Sequence, residues 1–138
     1  MRAVLDSNVL ISAAISKGPA HRIVQAWLER ASFELVICRS LLNEVTTVLV
    51  DREPMRRWIS AEDARLYVER LSTAADVSED PRPGPPLTRD PDDDFVVYLA
   101  LENDADLIVS GDADLLDWPE QRPPVVAPAQ FERMLSQA

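Results

Sequence analysis

The 138-residue sequence predicts an α/β fold, a small and mostly parallel sheet held between layers of helices. Three observations predict it. Short apolar runs at 2–5, 33–38 and 107–109 alternate with longer segments whose apolar residues recur at helical spacing. Each of those runs ends where the chain turns, and two of the turns carry an aspartate. No stretch reads as an interdomain linker, and the length with 46% apolar residues suits one domain over 1–138 with a single core.

Arg2 to Leu5 reads as a buried strand ending in Asp6, and Ser7 and Asn8 suit the start of the apolar helix that follows to Ile15. Gly18 and Pro19 break it. Residues 20–30 place Ile23, Val24, Trp27 and Leu28 on one helical stripe, with His21 as a surface residue near its start. Residues 33–38 form the second strand, closed by a core thiol at Cys38. Ser40 is expected to cap a helix over 41–50 with Leu41, Val45, Val48 and Leu49 inward, and Glu44 lies on or beside that stripe. A short helix at 55–59 follows Pro54. Ser60 with Asp63 resembles a capping box opening a helix to Leu71, and 74–77 suits a brief strand. EDPRPGPPLT, 79–88, is too proline-rich for a helix or central strand, and both an ordered wrap and a mobile loop are open to it.

Asp90 caps the next helix and Pro91 suits its first position. Phe95 to Leu101 is apolar nearly all round, as in a helix buried on most sides. Asn103 and Asp104 end it. Residues 107–109 form a buried strand, and Ser110, Gly111 and Asp112 turn the chain at that strand's C-terminal edge. Residues 114–122 are expected as a loop holding Trp118 and Pro119, Val125 and Val126 as an edge strand, and Pro128 as the start of a last helix with Phe131, Met134 and Leu135 inward.

The formal net charge of −10 makes a general basic nucleic-acid surface a poor description. Either surface carboxylates serve solubility, or several converge on a divalent cation that reverses the local field. No apolar run is long enough to span a bilayer, so no membrane association is expected. The charged N-terminus leads straight into a strand, against a signal peptide, and a single cysteine suits a reducing cytoplasm.

Asp6 ends a strand, Glu44 lies early in the helix after the second strand, Asp94 early in the 91–102 region, and Asp112 just beyond the 107–109 strand. In a parallel sheet all four positions fall near the C-terminal edge, where such sheets bind ligands. Asp94 draws notice because it shares a stripe with Val97, Tyr98 and Leu101, an expensive place for an uncompensated carboxylate. Carboxylates without histidine or thiolate form a hard oxygen site for Mg²⁺ or Mn²⁺, one or two ions. Without metal, crowding should raise at least one of their pKa values.

VLDSNVLISA, SLLNEVTTVL, DPDDDFVVYLALENDADLIVSGDADLL and VVAPAQFERML together resemble the PIN-domain family, nearest to its branch of toxins from bacterial toxin–antitoxin operons. The resemblance runs along nearly the whole chain. It implies a PIN-like three-layer α/β/α fold and Mg²⁺- or Mn²⁺-dependent endoribonuclease activity. It matches Asp6, Glu44, Asp94 and Asp112 to the family's four acids, and Ser7, Asn8 and Ser110 to its small polar positions. Asp93 and Asp114 would be outer acids. Hydrolysis would leave a 5′-phosphate and a 3′-hydroxyl with no side-chain nucleophile. A protein antitoxin is the implied partner beside the RNA substrate, and a homodimer through Trp58 or Trp118 is a further expectation.

Positive charge for RNA would come from Arg39, Arg56 and Arg57, with Arg52, Arg65 and Arg89 as further arginines, all of them equally readable as ordinary surface residues. Two rivals stand beside the nuclease. A phosphotransfer domain would need a late-strand lysine, or an aspartate where Asn8 stands, and Lys17 is the only lysine. A non-catalytic docking protein would show no stoichiometric binding of Mn²⁺.

Overall fold

The computed structural model describes residues 1–137. Five strands, β1 (Arg2–Leu5), β2 (Glu34–Cys38), β3 (Asp76–Ser78), β4 (Leu107–Val109) and β5 (Val125–Val126), form one sheet in the order β3-β2-β1-β4-β5. Every pairing is parallel, from Val4 beside Val36 to Val109 beside Val126. The helices are α1 (Ser7–Ile15), α2 (Pro19–Arg30), α3 (Arg39–Thr46), α4 (Ala61–Ala74), α5 (Pro91–Glu102), α6 (Ala113–Leu116) and α7 (Pro128–Ser136).

The topology follows from parallel pairing. β1 leads through α1 and α2 to β2, then through α3 and α4 to β3, always in one direction across the sheet. The return from β3 to β4 passes through α5, so a right-handed crossover puts α5 on the opposite face. The contacts agree: α1, α2, α3, α4 and α7 pack among themselves, whereas α5 packs on β1, β2 and β4. Because both faces are covered, β1 and β4 are continuous apolar runs rather than alternating ones. β1 departs toward β2 and β4 departs toward β5, so their C-terminal ends diverge and open a crevice between them.

Local chemistry sets the helix ends. The Asp90 side chain accepts from the Asp92 amide at 2.9 Å with Pro91 in the first turn, and Ser60 Oγ accepts from the Asp63 amide at 3.0 Å. α5 ends where Asp104 takes a left-handed φ of 52°, a conformation aspartate tolerates. Ser40 is not the cap of α3. That helix begins at Arg39, and the Ser40 amide and hydroxyl instead donate to Asp80. α3 runs into a π-helical turn, Thr47–Asp51, and Glu53–Arg57 forms a 3₁₀ turn. The expected loop after Asp112 contains the short helix α6, begun by Asp112 itself, which accepts from the Asp114 amide at 2.9 Å.

The proline-rich segment is an ordered wrap over α5. Thr88 donates from both its amide (2.7 Å) and its hydroxyl (2.6 Å) to Asp94 Oδ1. The Tyr98 hydroxyl donates to the Pro85 carbonyl at 2.7 Å, and Gly84 passes so close that a Cβ there would meet the Tyr98 ring at 2.4 Å.

Phe131 of α7 is fully buried, edge-on to Phe33 with ring centroids 5.0 Å apart. Phe131→Ala is expected to cost about 3–5 kcal/mol by transfer loss and a residual cavity. Urea unfolding followed by circular dichroism checks this.

Candidate metal centre

The crevice between β1 and β4 is where the acids gather. Asp6 follows β1 directly, and its amide donates to the Val109 carbonyl at 3.0 Å, which ties it to the end of β4. Its carboxylate is nearly buried, accepting from Ser110 Oγ at 2.9 Å and, more weakly, from Ser7 Oγ at 3.4 Å. Ser110 is fully buried and also accepts from the Asp112 amide at 3.0 Å, so one hydroxyl fixes both Asp6 and the turn carrying Asp112. A polar cleft opens in front of them, lined by Asp6, Ser7 and Asn8, by Ser40 and Glu44 of α3, and by the Asp90–Asp93 run and Asp112.

Of the two adjacent aspartates, Asp93 and not Asp94 faces the cleft. Asp93 is 5% exposed and shares its helical stripe with the buried Val96, Val97 and Ala100. The stripe through Asp94 leads to Leu101, which is 43% exposed. Asp94 sits outside the cleft with its carboxylate bonded to Thr88, and against the push of burial those bonds hold it below the usual carboxylate range. One residue, or about 100° of helix rotation, separates the two orientations. Phe95–Leu101 is apolar on every side, so the sequence carries no phase.

Carboxylate oxygens of Asp93, Asp112 and Asp114 lie within 4.8 Å of one another. Asp114, expected as an outer acid, therefore belongs to the tightest group among the described residues, while Asp6 and Glu44 line the cleft around it. Glu44 is exposed on its helix wall, and Asn8 also faces the opening. Burial, the Asp112 carboxyl alongside, and the charges of Asp90 and Asp6 push the Asp93 carboxyl up to about 7. Its Oδ2 is buried with no hydrogen-bond partner. A buried carboxylate oxygen without a donor, facing further carboxylates, is a costly arrangement alone and a fitting one around a divalent cation. The donor set is all oxygen, which suits Mg²⁺ or Mn²⁺.

Neither the one thiol nor the one imidazole lines the cleft. Cys38 is buried at the end of β2, and burial first, then Asp80, pushes its thiol up to about 11. His21 pairs its Nδ1 with the Ala13 carbonyl at 3.0 Å.

Of the arginines, Arg56 is not a free surface cation: its guanidinium donates to the Leu49 carbonyl at the end of the α3 region, and Nη1 is buried. Arg57 lies over the Trp58 ring, 5.3 Å from its centroid. Arg39 is exposed at the start of α3, beside the cleft residue Ser40. Trp58 is 59% exposed, and no helix among the described residues is long and apolar enough to cross a membrane.

A family model described as "PIN domain" matches residues 2–114. Among solved structures, the crystal structure of PAE2754 from Pyrobaculum aerophilum superposes with a TM-score of 0.65 at 16% identity, covering all of this chain and 91% of that one, a likeness of fold. No curated protein sequence matches.

Proposed function

Starting from the chain's membership of the PIN domain family, generally metal-dependent nucleases, we propose that this protein is an endoribonuclease and the toxin of a type II toxin–antitoxin pair. The observation that carries the nuclease reading is the convergence of Asp6, Asp93, Asp112 and Asp114 at the β1–β4 crevice with an unpartnered Asp93 oxygen. Asp6, Glu44, Asp93 and Asp112 would hold one or two Mg²⁺ or Mn²⁺, with Asp114 beside them. When bound, such ions supply Lewis-acid polarisation of a phosphate and activation of water.

The chain's own residues do the rest. Ser110 holds Asp6 in one orientation and ties it to the Asp112 turn, so these two acids keep a fixed relation. Ser7 and Asn8 add neutral polar groups at the rim. Glu44 closes the cleft from α3, whose first turn is anchored to Asp80 through Ser40. Neither the thiol nor the imidazole lines the cleft, and the Ser7 and Ser40 hydroxyls there donate to Asp6 and Asp80, so attack falls to water rather than a side chain, and the products would carry 5′-phosphate and 3′-hydroxyl ends. An open, single-stranded backbone reaches this edge more readily than a duplex. The same acidic cleft suits an antitoxin segment that inserts an arginine or lysine.

The test is cleavage of labelled single-stranded RNA with and without Mn²⁺. The parent should cleave only with metal, and Asp6→Asn should lose on the order of 10³-fold, beyond the 10–100-fold cost of an outer-shell change. An Asp6→Asn protein cleaving at the parent's rate would refute the reading.

A further inference from the structure

A second hollow adjoins the acidic cleft, with Asp114 as their common neighbour: it belongs to the carboxylate trio and also lines the hollow. The hollow's apolar side is Leu87, Trp118 and Pro119, and its charged groups are Arg89 with the carboxylates of Asp114 and Asp117. Trp118 is half-buried, packed against the core and lining the hollow, and its backbone amide donates to the Leu115 carbonyl at 3.2 Å. Arg89 is exposed and, among the described residues, makes neither an ion pair nor a side-chain hydrogen bond. Its guanidinium is, among the described residues, the one cation lining this hollow, and it stands next to the acidic cleft of a chain with net charge −10, so it is placed to hold a phosphate there. Its backbone is held firmly, because the preceding Thr88 is bonded twice to Asp94.

An aromatic face beside a free guanidinium is how proteins hold unpaired nucleotides, base on ring and phosphate on cation. We propose that this hollow is a nucleotide subsite: Trp118 stacks a base flanking the cleaved phosphate, and Arg89 holds that nucleotide's own phosphate. The inference rests on the nuclease reading and gives Asp94 its work, as anchor of the strap that presents Arg89.

The test uses a fluorescently labelled single-stranded RNA of about five nucleotides, bound by the full chain with Ca²⁺ and cleaved with Mn²⁺. Stacking contributes about 1–3 kcal/mol per base, so Trp118→Ala should weaken binding by about 5- to 140-fold, with Trp118→Phe retaining most of it. One abasic position in the RNA should weaken the parent and leave Trp118→Ala no worse. Arg89→Gln, at an exposed position that cannot unfold the chain, should lower the slope of log affinity against log salt by about 0.7. A parent that cleaves while Trp118→Ala and Arg89→Gln bind as it does overturns the subsite and leaves the nuclease standing. A parent that neither binds nor cleaves RNA removes both.

Discussion

Asp93→Asn is expected to abolish metal-dependent cleavage, by on the order of 10³-fold or more, while Asp94→Asn stays within about threefold of the parent, below the 10–100-fold typical of outer-shell partners. The two residues are adjacent and share one side chain, so the comparison isolates position. Asp93 is nearly buried against Asp112 and Asp114, and its Oδ2 has no donor. An amide there keeps the size but removes the charge a cation needs. Asp94 accepts both of its bonds on Oδ1, which an asparagine carbonyl can also accept. The expected cost of Asp94→Asn is therefore about 1 kcal/mol of stability, through a weaker strap. Initial rates with Mn²⁺ and a urea titration of each variant check both halves. Equal activity of the two variants would move the centre away from Asp93.

The second large effect is on stability. In the metal-free protein the Asp93 carboxyl titrates at about 7, raised by burial and by its acidic neighbours, against about 3.9 in an unfolded chain. The folded state holds the extra proton between these values. Its contribution to metal-free stability is thus fully present below about pH 4 and is lost as pH rises through about 7. A cation competes with that proton, so Mn²⁺ should stabilise more at about pH 8 than at about pH 5.5. At a hundredfold excess over Kd the gain is about 2.7 kcal/mol, which for a domain of this size is roughly 8–10 °C in Tm. Thermal unfolding at the two pH values, with and without Mn²⁺, measures it. Asp93→Asn should flatten the pH trend and remove the Mn²⁺ shift. A parent Tm unchanged by Mn²⁺ at the higher pH would contradict the centre.

Asp90 with Pro91, Ser60 with Asp63, and the apolar runs at β1, β2 and β4 all form as their local chemistry dictates, because caps and short buried strands depend on neighbours in sequence. Alternation of those strands with helices fixed the parallel sheet, and the placement of Asp6, Glu44 and Asp112 near its C-terminal edge followed from topology. Tertiary structure alone decided which aspartate of the DPDDD run turns inward, since a helix apolar on all sides has no preferred face until β1, β2 and β4 supply one. It also decided that the proline-rich segment is a strap, that Arg56 is spent on the Leu49 carbonyl, and that Asp114 joins Asp93 and Asp112. Each of these depends on contacts between distant parts of the chain, where one residue of phase separates a carboxylate facing the crevice from one bonded to a loop.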